Sequence, residues 1–401
     1  MAQPMGLTAS DMVFGEATSE QRQLAWELCG RSWAAPMSLD DYVEREQHLA
    51  EHDVNRDGRC RYWVLYLKGY PRQVIASCET TRKPVLVSDG NGQPAREGHG
   101  YAVTNVYTNP PYRRQGMAAF LLRRVQERMD ADSDCSVMYS DSGRNYYASL
   151  GWSPFASRQA TITLLPSYPS PPLGPQPQSP TLTTPSKPPQ TRPLQLSDLP
   201  DLCKMDELDL TKSFDSLPAD TKTHVAFLPT HPQISWHLAR AEFDAGKIFP
   251  PNTTTTAATA NPQRTLTKGA ITLPTDGSKS WTYWSHDWRN KRLRVLRIVV
   301  RPEASSTDTP TTTEQQRVGD VAALLEAAVA EARRWGLGRV VVWNPDDEVR
   351  AGCKSVGNAS PHGVKVVFEE RVAGGVPSLR WKGGKGVRGV VWEENFGYCW
   401  C

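Results

Sequence analysis

The stretch Val106-Tyr-Thr-Asn-Pro-Pro-Tyr-Arg-Arg-Gln-Gly-Met-Ala118 brings together residue types that can hold a phosphate. It reads as a strand stopped by a proline pair, a short basic loop with one glycine, and a helix. Ala118, Leu121, Leu122, Val125 and Met129 recur at the spacing of one buried helical face. The first N–H groups of a helix have no partner within it, and the helix dipole favours an anion at that end. Arg113 and Arg114 add full positive charges at the same place. These residues also describe an ordinary strand–loop–helix with two solvated arginines, and local physics alone does not separate the two readings.

The chain around this loop has room for more than one domain. It has 401 residues, of which 39% are hydrophobic. A net charge of +3 is too small to argue for a nucleic-acid partner. The eight cysteines form no CxxC pair and no array with histidine at metal-ligand spacing. No run approaches the roughly 18 apolar residues of a membrane span. The first residues open no apolar leader, so a reduced, cytoplasmic setting is expected.

Residues 19–34 and 39–51 read as helices. Arg61–Leu67 and Gln73–Glu79 read as strands joined by the turn Lys68-Gly-Tyr-Pro71. Tyr101–Thr108 is a further strand. After the helix that follows Gly116 come strands near Cys135–Ser140 and Arg158–Leu165, with a short helix at Tyr147 between them. Residues 166–193 are dense in Pro, Ser and Thr and read as a linker. From 194 to 401 the pattern repeats strand, helix, strand: Arg294–Val300, then a face built on Val321, Leu324, Leu325 and Ala328, then Arg339–Trp343. Low-complexity insertions are expected near 250–264 and 303–316. Gly383-Gly-Lys-Gly386 lacks a strand-to-helix context and reads as a turn.

The basic loop resembles the pyrophosphate-cradling motif of the GNAT superfamily of N-acetyltransferases, (Arg/Gln)-x-x-Gly-x-(Gly/Ala), here Arg113-Arg-Gln-Gly-Met-Ala118 with Pro110-Pro-Tyr112 before it. Asn145-Tyr-Tyr-Ala-Ser-Leu-Gly-Trp152, further on, is similar to the superfamily's Tyr-x-x-x-Gly-aromatic helix end. The resemblance implies an α/β fold of the α+β kind: a GNAT domain over residues 1–165 with a mixed, mostly antiparallel sheet. It also implies an α+β domain over 194–401, either a degenerate second copy without the phosphate loop or a generic fold. Acetyl-CoA is the implied cosubstrate. Arg113, Arg114, Gln115, Gly116, Met117 and Ala118 would hold its pyrophosphate, and Val106 and Thr108 would offer backbone groups to its pantetheine arm. Asn145 either reaches that arm or caps the local turn.

By the same resemblance Tyr147 supplies a proton to the departing thiolate, with Tyr146 as its rival. The base is open. Tyr101–Tyr112 contains no carboxylate, where some GNAT enzymes carry a glutamate. Glu79, Asp141, His99 and the terminal carboxylate of Cys401 are the alternatives, the last because some bacterial two-domain members place their C-terminus in the active site. Over roughly residues 60–155 the chain is most similar to fungal lysine N-acetyltransferases, which acetylate the side-chain amine of free L-lysine in lysine catabolism. A site for free lysine needs an arginine or backbone donors for the α-carboxylate and an acidic or carbonyl partner for the amine; Arg289 is one such arginine. A second domain able to close over the site favours a small molecule. A peptide lysine, a polyamine, or an acyl-CoA-binding role without catalysis remain the alternatives.

Overall fold

The computed structural model describes residues 7–90, 94–166, 189–250, 265–273, 279–301, 313–360, 363–382 and 388–400. They form two compact units, and the chain passes between them repeatedly. The first holds residues up to Ser157, Asp198–Arg264 and Glu370–Cys401, and the second Arg158–Ser197 and Thr265–Glu369.

Unit 1 opens with β1 (Met12–Glu16), α1 (Ser19–Trp33), α2 (Leu39–Ala50), β2 (Cys60–Leu67), β3 (Tyr70–Ser88) and β4 (Arg96–Thr108). It continues with α3 (Met117–Met129), β5 (Cys135–Ser140), α4 (Asn145–Ala148) and β6 (Ser153–Pro154). β1 to β4 form an antiparallel meander, and β4 then pairs parallel with β5 across the α3 crossover. The apolar stripe of α3 packs on this sheet: Met117, Leu121, Leu122, Val125 and Met129 join Trp63, Ile75, Tyr101, Val103, Met138 and Trp152 in one core. Each such side chain contributes about 1.5–3 kcal/mol by leaving water. Met117 takes the inward position and Ala118 lies only partly buried.

One expected assignment is corrected. The segment 158–165 was expected to close the first domain's sheet. It forms β7 (Arg158–Leu164), which pairs antiparallel with β13 (Arg339–Trp343) in the other unit. The place beside β5 belongs to β15 (Val376–Trp381), about 240 residues further along the chain, which also pairs with β6. Alternating apolar residues specify a strand but not its neighbour. The partner is chosen by non-local complementarity. Here the choice includes the paired hydrogen bonds of the Arg380 guanidinium to the Asp130 carboxylate at the end of α3.

After β7 the chain forms β8 (Gln190–Pro193) in unit 2, then returns to unit 1 with α5 (Leu199–Asp215), β9 (Thr223–Phe227) and α6 (His231–Ile248). β9 pairs with the end of β3 and with β16 (Val390–Trp392). The C-terminal residues are packed into this unit. Tyr398 is fully buried, its hydroxyl donates to the Phe227 carbonyl, and its own carbonyl accepts from Gln233 Nε2 at 2.9 Å. Lys83 Nζ donates to the Cys399 carbonyl at 3.1 Å.

Unit 2 sets β10 (Gly269–Leu273), β11 (Lys279–Asp287), β12 (Arg292–Arg301), β13, β7, β8 and β14 (Val364–Glu370) in one sheet, with α7 (Glu314–Arg334) and α8 (Asp347–Ala359). β12 and β13 are parallel and joined through α7, repeating the β4–α3–β5 connection. Trp281 and Trp284 are core residues. Two boundaries shift. Gln190–Pro193, counted with the linker, is an edge strand where a terminal proline costs no ladder bond. The insertion expected up to 316 gives way at Thr313, whose hydroxyl caps α7 by accepting from Gln316 N. Most of the linker, 167–188, and the glycine turn 383–386 lie outside the described residues. No helix among the described residues is long and apolar enough to cross a membrane.

Truncating Tyr398 to Ala empties a fully buried site. Unit 1 is expected to lose about 3–5 kcal/mol, read as a lower denaturant midpoint in urea unfolding followed by tryptophan fluorescence.

Candidate active site

The parallel ladder between β4 and β5 runs through Gly100–Cys135 and Tyr101–Ser136 and ends at Ala102–Val137. β4 goes on to Thr108 and β5 to Ser140, each still held on its other side by β3 and β15. The two strands therefore part within one sheet. A bulge on β4 accompanies the parting: the register with β3 shifts between Ser77 and Glu79, and Asn105 adopts φ +49°. Val106 and Thr108 lie on this freed stretch, both partly buried.

Beyond Thr108 the loop turns through Pro110–Tyr112 into α3. Arg114 and Gly116 both take left-handed backbone conformations, φ +61° and +76°, with Gln115 between them. Among the described residues no main-chain carbonyl accepts from the N–H groups of Arg114 to Ala119, and no side chain caps α3 at Gly116. Successive N–H groups in such alternating backbone, at a helix N-terminus, form an anion-binding concavity. The capped α7 of unit 2 lacks this opening. Arg113 also makes contacts within the loop itself. Its Nε donates to the Thr108 carbonyl at 3.0 Å and its guanidinium lies 5.2 Å from the Tyr107 ring centre, so it ties the loop to the strand end. Arg114 is exposed, and Gln115 Nε2 donates to the Pro111 carbonyl at 3.2 Å.

On the one-turn α4, the two tyrosines separate. Tyr146 is 40% exposed, whereas Tyr147 packs against the core that holds α3. Burial pushes the Tyr147 phenol well above its ordinary value, with Tyr146 and Asp141 adding to the effect. Asn145 is exposed at the first position of α4, where its carbonyl accepts from Ser149 N.

The structure also sorts the acids and bases. His99 is exposed and pairs with Pro84, at the far end of β4 from the loop. Asp141 accepts from Gly375 N at 3.0 Å and fixes the entry to β15. Cys401 lies outside the described residues. Glu79 remains, and its setting is unlike the others. It stands on β3 opposite Tyr62, beside the β4 bulge, and faces the side of the sheet opposite to its neighbour Cys78. Its carboxylate accepts from Trp26 Nε1 at 2.9 Å. Burial raises its pKa to about 7, helped by Glu46 of α2 and opposed by hydrogen bonds from Asn105 and Trp26 and by the charge of Arg22 on α1. Glu79 lines a narrow cleft with Arg22, Trp26, Tyr62, Ser77 and Asn105, with room inside for about one water molecule.

A family model described as the acetyltransferase (GNAT) family matches residues 23–152, and one described as the LYC1 GNAT-like C-terminal domain matches residues 176–401, more than half of the chain. The chain belongs to the GNAT acetyltransferases. The parted strands and the open N-terminus of α3 fit acetyl-CoA, the cosubstrate of the family.

This GNAT protein is 26% identical over 140 residues to a curated lysine acetyltransferase of Yarrowia lipolytica; the match takes in 30% of this chain and about a third, 35%, of that relative. Among solved structures, a GCN5-related N-acetyltransferase from Kribbella flavida aligns over 93% of this chain and 72% of its own, with 13% identity and a TM-score of 0.45. One from Anabaena variabilis aligns over 92% and 73%, with 12% identity and a TM-score of 0.47.

Sequence reasoning passed over Arg22 and Trp26. Their four-residue spacing on one face of a helix was visible. What made them part of a site, the docking of that face on the Tyr62–Glu79 pair, was not. Arg289, offered as a carboxylate anchor, is exposed in the turn between β11 and β12 of unit 2.

Two measurements probe this geometry. A methyl group at Gly116 meets no atom within 4 Å, so the cost of Gly116→Ala to folding comes from its φ alone, about 1 kcal/mol. Acetyl-CoA affinity measured by calorimetry is expected to fall about tenfold or more, because the methyl stands among the anion-facing amides. The raised pKa of Glu79 sets a sign for stability. The folded value of about 7 exceeds the ordinary 4.5, so stability present below pH 4.5 is lost as pH rises through 7. The wild type should therefore lose about 3 kcal/mol relative to Glu79→Gln between pH 4.5 and 8, measured by urea unfolding across that range.

Proposed function

We propose that this protein is an acetyl-CoA-dependent N-acetyltransferase that acts on the side-chain amine of free L-lysine by direct transfer in a ternary complex. The observation that carries the reading is the pairing, within one unit, of an open anion-binding helix start with a partly buried carboxylate poised near neutrality. Acetyl-CoA, when bound, supplies the activated thioester. The N–H groups of Arg114 to Ala118 hold the pyrophosphate, Arg114 adds charge, and Arg113 keeps the loop in place. Val106 and Thr108 on the freed stretch of β4, with Asn145 on α4, line the remainder of the arm's path.

The acceptor amine must lose a proton before it can attack. A free lysine ammonium has a pKa near 10.4, and its deprotonation at pH 7 costs about 4–5 kcal/mol. Glu79 takes that proton, directly or through the one water its cleft admits. A pKa of about 7 leaves it about half ionised and still basic at pH 7. On the other face of the sheet Tyr147, kept protonated by burial, donates its hydroxyl proton to the departing sulfur. The likeness to a curated lysine acetyltransferase supports lysine as the acceptor amine.

The test is a panel. Wild-type protein with acetyl-CoA is offered L-lysine, a lysine-containing peptide and 1,5-diaminopentane, and thiol release is followed. L-lysine should be turned over fastest, with the acetyl group on the side-chain nitrogen by NMR; absence of turnover on every amine refutes the proposal. The kcat/KM profile is expected to rise with pH through an inflection near 7. Glu79→Gln should remove that limb and lower kcat/KM by about 10²–10⁴. Tyr147→Phe should lower kcat while leaving acetyl-CoA affinity within about twofold.

A further inference from the structure

Opposite charges meet in the cleft beside Glu79 without neutralising each other. Arg22 and Glu79 both line it, and the charge of Arg22 is felt by Glu79, yet no ion pair joins them. The Arg22 guanidinium is held between two rings, its carbon 5.2 Å from the centre of Trp26 and 4.9 Å from that of Tyr62. Those rings meet edge to face at 5.7 Å, and Trp26 is itself fixed by its hydrogen bond to Glu79. The arginine is thus oriented by aromatic contacts rather than by an acceptor. Its Nε is buried and has no hydrogen-bond partner among the described residues. Buried this closely, Nε is out of a ligand's reach, and an arriving group would meet the guanidinium through its two terminal nitrogens. The planar edge of a guanidinium matches a carboxylate with two parallel hydrogen bonds. The carboxylates nearby are otherwise engaged: Glu79 with Trp26 and Asn105, and Glu46 with Arg45.

We propose that Arg22 anchors a carboxylate on the acceptor at the mouth of the cleft, so that a zwitterion docks there with its reacting amine toward Glu79. The proposal rests on the acetyltransferase reading and sharpens it. It makes the acceptor an amino acid with a free α-carboxylate and gives the discrimination against polyamines to one side chain. Arg22 is a specificity-determining residue here.

The test compares L-lysine, lysinamide and 1,5-diaminopentane, which share the amine and differ in the carboxylate. Direct binding is read from the fluorescence of Trp26 against a Trp26→Phe control, with CoA present, and KM and kcat are measured alongside. The wild type should bind L-lysine at least about tenfold more tightly than either neutralised analogue. Arg22→Met should raise KM for L-lysine by about tenfold to a hundredfold with a smaller change in kcat, and so collapse the preference over 1,5-diaminopentane. Arg22→Lys should restore part of it. Equal wild-type binding of L-lysine and lysinamide, or no binding of any of the three, overturns the proposal even if the variants fail to fold. So does an Arg22→Met protein that keeps the wild-type preference. Carboxylate-dependent binding without turnover of any amine would instead uphold Arg22 as the anchor and count against the acetyltransferase reading.

Discussion

Two parallel strands lie side by side in unit 1 and, past Ala102 and Val137, cease to share hydrogen bonds. Every chemically interesting feature of this protein is arranged around that parting. An unpaired stretch of strand edge is costly unless something satisfies its amides and carbonyls. The fold holds the gap open by securing each strand from its far side, β4 through the long antiparallel ladder to β3 and β5 through the ladder to β15. The left-handed bulge at Asn105 turns β4 away from its neighbour and sets its side chain beside Glu79. The same strand end delivers the chain into the loop whose amides face outward at the start of α3.

The two faces of the sheet divide the work. The α3 face carries the apolar core and Tyr147, which stays protonated because burial disfavours its anion. The α1 face carries Glu79, whose proton affinity is raised by the same kind of burial and restrained by Trp26, Asn105 and Arg22. One physical effect, removal from water, thus raises the proton affinity of a phenol on one side and of a carboxylate on the other. Unit 2 repeats the strand–helix–strand connection without the chemistry. Thr313 and Gln316 satisfy the start of α7, and Glu331 is consumed by His286, Trp335 and the Thr267 amide in a closed buried network.

Much of this was legible in the sequence. The basic glycine loop, the apolar stripe behind it and the paired tyrosines are local patterns, and local patterns survive without tertiary information. The stripe was right except at its start, where the left-handed turn at Gly116 rotates Met117 inward in place of Ala118. Strand identity was also legible, but strand partnership was not. The segment Arg158–Leu164 has the alternation of a half-buried strand wherever it pairs, and nothing within it announces that β15 will take the position next to β5.

The sequence by itself determined a strand, a glycine turn and a helix in succession, because a glycine at a left-handed position followed by a helix is a property of neighbouring residues. It determined that Tyr147 or Tyr146 would face inward, because a helix cannot bury both. Only the tertiary structure singled out one of the acids as the candidate base. Glu79, Asp141 and His99 are equivalent as letters. They were separated by burial under α1, by a hydrogen bond to a distant amide and by exposure at the wrong strand end. Only the tertiary structure, likewise, placed Arg22 over Tyr62 and Trp26 with an unmet donor. Proton affinity and hydrogen-bond satisfaction are set by what surrounds a group, and in this chain those surroundings are assembled from residues far apart in sequence.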